Sequence, residues 1–128
     1  MKKLIVLLIL LFIFTAGTMI SAQETEKLLK FKKGDSSALV TGSLVRGEET
    51  SYILIANKHQ TMTVTISSSE ENAVFRIKDR SSRYYLDGAG EIDEAVKWKG
   101  PLPSDGEYKI IVGGKRGNTD YTLQVFIE

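Results

Sequence analysis

A chain of 128 residues is too short for two domains of ordinary size, and 17 basic against 16 acidic residues give none of the basic excess that nucleic-acid binding requires. Cysteine is absent, which excludes disulfide cross-links and excludes acylation at a cysteine behind an export signal. The first element in the chain is N-terminal: Lys2 and Lys3 precede an unbroken apolar run over residues 4–14, and small and polar residues lead to Ala22 before the charged QETEK. That run falls short of the roughly 20 residues that cross a bilayer, so it is read as a secretory signal peptide over residues 1–22 and not as a stable membrane anchor. Cleavage is expected after Ala22, placing residues 23–128 in the periplasm or outside the cell. Losing Lys2 and Lys3 leaves the mature chain with one more acid than base.

From there the apolar period is two. ALVTGSLV and SYILIAN come first; in TMTVTIS, Met62, Val64 and Ile66 share one face while threonines take the other. NAVFRIKD and AVKWKG follow, then EYKIIV with Tyr108, Ile110 and Val112 in alternation, then DYTLQVFI with Tyr121, Leu123, Val125 and Ile127. Alternation over such lengths marks half-buried strands. KKGD, RGEE, SSSEEN, LDGAGE, PLPSDGE and GGKRGN separate the runs with turn residues. No stretch of ten residues carries a helical stripe. The expected fold is all-β, a single antiparallel β-sandwich, jelly-roll-like, of about eight strands over residues 23–128.

Reactive chemistry is sparse. His59 is the lone histidine, set in the turn NKHQ, and without cysteine or a second histidine it makes no zinc site. Ser36 and Ser37 lack both a GxSxG elbow and an adjacent base, so they read as turn hydroxyls. Asp87, Glu91, Asp93 and Glu94 lack calcium-loop spacing and read as a solvated loop. No carboxylate pair stands in a context suited to glycoside hydrolysis. Neither enzyme, cofactor nor metal is expected. Trp98 shares a strand face with Val96 and belongs to the core, with Lys97 and Lys99 on the other face. Tyr84 and Tyr85 are adjacent, so an extended backbone turns one ring outward as a candidate contact. The turn GGKRGN presents Lys115 and Arg116 between the last two strands. It reads either as the solvated tip of a hairpin or as a cationic finger for another protein's cleft.

FKKGDSSALVTGSLVRGEETSYILIANKHQTMTVTIS, NAVF, LPSDGEYKIIV and DYTLQVFI, in this order, resemble the bacterial periplasmic inhibitors of goose-type (g-type) lysozyme over nearly the whole mature chain. The GEYKIIV ending and its surroundings are also similar to the pre-peptidase C-terminal modules of secreted bacterial proteins. Both groups are β-sandwiches. The inhibitor resemblance implies a g-type lysozyme as protein partner, its cleft blocked by loops at one end of the sandwich. It carries the arginine of the last inter-strand loop onto Arg116, with Lys115 beside it. Here that loop is shorter than in the family and holds no second arginine. Glu48 of VRGEETSY stands where the family can present a tyrosine, and an acidic cleft would repel its carboxylate. The module resemblance implies instead a non-catalytic envelope or adhesive domain with no lysozyme target.

Overall fold

The computed structural model describes residues 24–32 and 34–128. The expected signal peptide and its cleavage point lie outside them. Each alternating run becomes a strand whose apolar face turns inward: β2 (Ser37–Leu44), β3 (Glu49–Ala56), β4 (Thr61–Ser68), β5 (Ala73–Asp79), β6 (Lys97–Pro101), β7 (Gly106–Gly114) and β8 (Thr119–Ile127). One further strand, β1 (Glu24–Leu28), precedes them. Among the described residues two four-stranded sheets form, ordered β1-β3-β7-β5 and β2-β8-β4-β6. All pairings are antiparallel except that of β1, which lies parallel to β3 with Glu26 opposite Ser51 and Leu28 opposite Ile53. β1 has no apolar alternation to betray it. It is an edge strand with little to bury, and Glu26 pairs with Lys109 of the same sheet at 3.1 Å.

Successive strands always fall in opposite sheets, so no two consecutive strands pair with each other. The reading of the last two strands as a hairpin is therefore corrected. Tyr108, Ile110 and Val112 of β7 and Tyr121, Leu123 and Val125 of β8 are all buried, and they can share one core only by facing each other across it. A hairpin would have put them side by side on one sheet face. The short turn between them is an arch, and the other connections likewise carry the chain from one sheet to the other. Arches gather loops at the two ends of the sandwich.

The core between the sheets holds Leu54, Met62, Val64, Phe75, Ile77 and Tyr108, each essentially inaccessible. Polar groups are buried with it, a tyrosine pair and Asp79 among them. Tyr52 and Tyr121 meet from opposite sheets with hydroxyls 2.6 Å apart and rings edge to face at 6.5 Å. Burial, then the hydrogen bond to Tyr121, pushes the Tyr52 phenol well above its ordinary value, so it stays neutral.

At the end opposite the arch, buried Asp79 accepts hydrogen bonds from the Ser81 amide and hydroxyl at 3.0 and 2.7 Å and from the Ser104 hydroxyl at 2.6 Å. Burial alone would raise this carboxyl. The Ser104 and Ser81 hydroxyls, with the Ser81 and Ser82 amides, outweigh it and hold Asp79 below the usual carboxylate range. A depressed folded-state value means a contribution fully present above the unfolded carboxyl's value near pH 4 and lost as pH falls through the folded one. Asp79→Asn is accordingly expected to cost about 1 to 2 kcal/mol at pH 7 and to flatten the fall in stability below about pH 4. Urea unfolding of both proteins from pH 7 to pH 2 checks it; parallel acid limbs would contradict it.

Candidate partner-binding end of the sandwich

Three arches meet at one end: residues 45–48 between β2 and β3, residues 69–72 between β4 and β5, and residues 115–118 between β7 and β8. The first is a tight turn in which the Glu48 amide donates to the Val45 carbonyl at 3.0 Å and Gly47 takes φ 83. That positive φ at the third turn position is what a type II turn asks of glycine. Glu48 also folds its carboxylate back to accept the Val45 amide at 2.8 Å, so it braces its own turn. In the arch of residues 69–72, which opens with a single 3-10 turn over Ser69–Glu71, Glu70 and Glu71 take φ 55 and 51. Left-handed backbone at two non-glycine residues costs about 1 to 3 kcal/mol each. The expense sets Asn72, with the next strand braced by the Ser68 hydroxyl, which accepts the Ala73 amide at 2.8 Å.

Asn72 is buried and reaches into the third arch. Its Oδ1 accepts the Arg116 amide at 2.7 Å, its Nδ2 donates to the Arg116 carbonyl at 2.6 Å and the Asn118 carbonyl at 3.2 Å, and its own carbonyl accepts the Lys115 amide at 2.7 Å. Asn118 passes the linkage on, since its Oδ1 accepts the Arg46 amide at 3.0 Å. Arg46, Lys115 and Arg116 thus decorate two loops that are tied to each other. All three are exposed. Lys115 Nζ lies 3.4 Å from Glu94, whereas Arg46 and Arg116 make no ion pair among the described residues. An exposed pair such as Lys115–Glu94 is worth about 0 to 1 kcal/mol, but it occupies the ammonium that sequence had placed beside Arg116 as a helper.

Of the sequence candidates, this end brings together Arg116, Lys115 and Glu48. Tyr84 is not with them. Tyr84 is 77% exposed, as an outward ring should be, yet its carbonyl accepts the Asp79 amide at the far end of β5. Six residues of strand separate Asp79 from Ala73 at the arches, about 20 Å at roughly 3.3 Å per residue. Tyr85 is half-buried beneath the cations of Arg76 and Lys78, at 5.9 and 5.6 Å from its ring centre. Trp98 packs half-buried against the core and donates its indole N–H to the Asp87 carbonyl at 2.8 Å. His59 is an exposed turn residue with φ 74.

Two of the acids near residue 90 serve their own loop: Asp93 accepts the Gly90 amide at 2.7 Å, and Tyr85 donates to Glu91 at 3.4 Å. Among the described residues no group of three or more His, Cys, Asp or Glu is placed to hold a metal. Sequence reasoning missed Arg46 and Asn72. Arg46 sits in a stretch quoted for Glu48 and becomes relevant only through its neighbour 72 residues away, while Asn72 reads as one more polar residue after SSSEE.

No family model and no curated protein matches the sequence. Among solved structures, Aeromonas hydrophila PliG, a periplasmic lysozyme inhibitor of g-type lysozyme, is 30% identical with a TM-score of 0.73, over 84% of this chain and 100% of that one. A mutant of Escherichia coli PliG, described in the same terms, is 24% identical with a TM-score of 0.65, over 84% of this chain and 100% of its own. The pre-peptidase C-terminal domain of a Bacillus anthracis collagenase is 13% identical with a TM-score of 0.57, over 84% of this chain and 99% of its own. The last two likenesses bear on the fold alone.

Proposed function

The chain belongs to the family of periplasmic lysozyme inhibitors of g-type lysozyme, and from that premise we propose that it is an exported inhibitor that blocks the peptidoglycan-binding cleft of a g-type lysozyme with the arches 45–48 and 115–118. It has no catalytic role of its own. The observation that carries the binding mode is Arg116: an exposed guanidinium without an ion pair among the described residues, on a loop whose backbone is fixed from below. A muramidase cleft holds an essential carboxylate, and a guanidinium offers it a planar fork of charge-assisted hydrogen bonds. Arg46, tethered to the same loop, adds a second guanidinium that the shorter final arch does not itself contain. Glu48, turned onto its own backbone, is partly withdrawn from the repulsion its charge would otherwise bring.

The test is lysis of peptidoglycan by purified lysozymes with and without the mature chain. Inhibition of the goose type and none of the chicken type is expected; unimpeded lysis by the goose type contradicts the proposal. Lys115→Ala is expected to raise the inhibition constant by less than about threefold, because its ammonium already has Glu94 and lacks the planar fork. A loss approaching that of an Arg116 variant would reassign the main contact. Export accords with a signal peptide over residues 1–22, and the exported form is expected to begin at Gln23. N-terminal sequencing checks this; a start more than a few residues away, or residues 4–14 retained in the membrane fraction, contradicts it.

A further inference from the structure

We infer that Asn72 is the positioning residue of the binding loop, a buried clasp that fixes Arg116 in its presented conformation before any partner arrives. The inference rests on the inhibitor reading above and deepens it. Residues 115–118 are short, exposed and turned by Gly117 at φ 60, composition that would ordinarily leave a loop mobile. Asn72 removes that freedom. One side chain satisfies the Arg116 amide and carbonyl and the Asn118 carbonyl, and the adjoining backbone carbonyl takes the Lys115 amide.

The residue that does this must stand at a fixed height under the arch. The left-handed Glu70 and Glu71, unfavourable in themselves, turn the chain to put it there. Only an asparagine-shaped amide offers an acceptor to the N–H and donors to the two carbonyls at once. Through Asn118 the same clasp reaches the Arg46 amide, so the backbone at both arginines is tied to one buried side chain. A loop ordered in advance loses less entropy when it binds, which raises affinity without any new contact.

The experiment pairs a binding cycle with a readout that needs no lysozyme. Inhibition constants against a g-type lysozyme are measured for wild type, Asn72→Ala, Arg116→Ala and the double variant. In parallel, trypsin cleavage after Lys115 and Arg116 is timed against cleavage elsewhere in the chain. Asn72→Ala is expected to weaken inhibition about tenfold to a hundredfold in the wild-type background and by several-fold less once Arg116 is gone, the remainder being its hold on the Arg46 loop through Asn118. Cleavage at 115 and 116 is expected to quicken about tenfold or more over the other sites, since proteolysis reads local opening.

Equal losses in both backgrounds would make Asn72 a general support of the fold and overturn the inference, as would unchanged cleavage at the two sites. If Asn72→Ala does not fold, Asn72→Asp carries the same two tests. It keeps the shape and the acceptor but turns an oxygen toward the carbonyls of Arg116 and Asn118. A wild type that inhibits nothing overturns the inhibitor reading and the binding half of the inference, while the trypsin arm still decides whether Asn72 holds the loop.

Discussion

Arg116→Ala is expected to raise the inhibition constant against a g-type lysozyme tens-fold to thousands-fold while leaving the melting temperature nearly unchanged. Two considerations set those sizes. A charge-assisted pair that is desolvated at an interface costs about 2 to 5 kcal/mol when one partner is removed, much of it from the carboxylate left unpaired in the cleft. On the inhibitor itself the guanidinium is exposed and makes no ion pair among the described residues, and what holds the loop is the backbone of Arg116, which alanine keeps. Surface substitutions of that kind fall within about 0.5 kcal/mol of neutral. Equal inhibition by wild type and variant, both folded, would remove the cationic loop from the mechanism even with the family assignment standing.

The second large effect belongs to the fold. Gly42→Ala is expected to destabilise the protein by about 2 to 5 kcal/mol, which for a domain of this size is a drop in melting temperature on the order of 10 °C or more. Gly42 lies opposite Tyr121 in the β2–β8 ladder, and an added Cβ would fall on the Tyr121 hydroxyl and ring. The flexible end of an exposed side chain could swing away. This ring cannot do so freely, since its hydroxyl is bound to that of Tyr52 across the core and the residue is 4% exposed. Relief of the clash therefore costs overpacking of about 1 to 3 kcal/mol and endangers a buried hydrogen bond whose loss costs about as much again. Thermal or urea unfolding of the variant measures it; a change below about 1 kcal/mol would show that β2 shifts without disturbing the tyrosine pair.

What could be read from the sequence follows a physical division. Period-two runs such as TMTVTIS and EYKIIV declare strands because burial of one face is a local property, written every second residue. Which strands pair is not local. KIIVGGKRGNTDYTL looks like a hairpin to any short-range rule, and it is an arch because two apolar faces must be shared across one core. β1 escaped for the opposite reason: ETEKL buries so little that it leaves no pattern to find.

The candidate binding end divides in the same way. Lys115 and Arg116 were visible as charges in a glycine-rich turn, and Glu48 as a charge in another. Arg46 was in plain view without a role, because only the folded topology brings residues 45–48 onto Asn118. Asn72 was hidden more deeply, since its function is a set of hydrogen bonds to backbone 44 residues on, and an asparagine in a turn is ordinarily explained by the turn itself. Tyr84 shows the converse. Alternation said only that one ring of the Tyr84–Tyr85 pair faces outward; it is Tyr84, and its place near the opposite end of β5 separates it from the cations with which it had been grouped.

On the proposed reading this chain occupies the cleft in which the lysozyme binds peptidoglycan. The substrate dependence of inhibition tests it most directly: lysis rates with wild-type inhibitor and a g-type lysozyme, measured across a range of soluble peptidoglycan fragment concentrations. Cleft occupancy predicts that the apparent inhibition constant climbs in proportion to fragment concentration while the rate at saturating fragment is restored. An inhibition constant indifferent to fragment would place the inhibitor elsewhere on the enzyme, and no inhibition at any concentration would contradict the account.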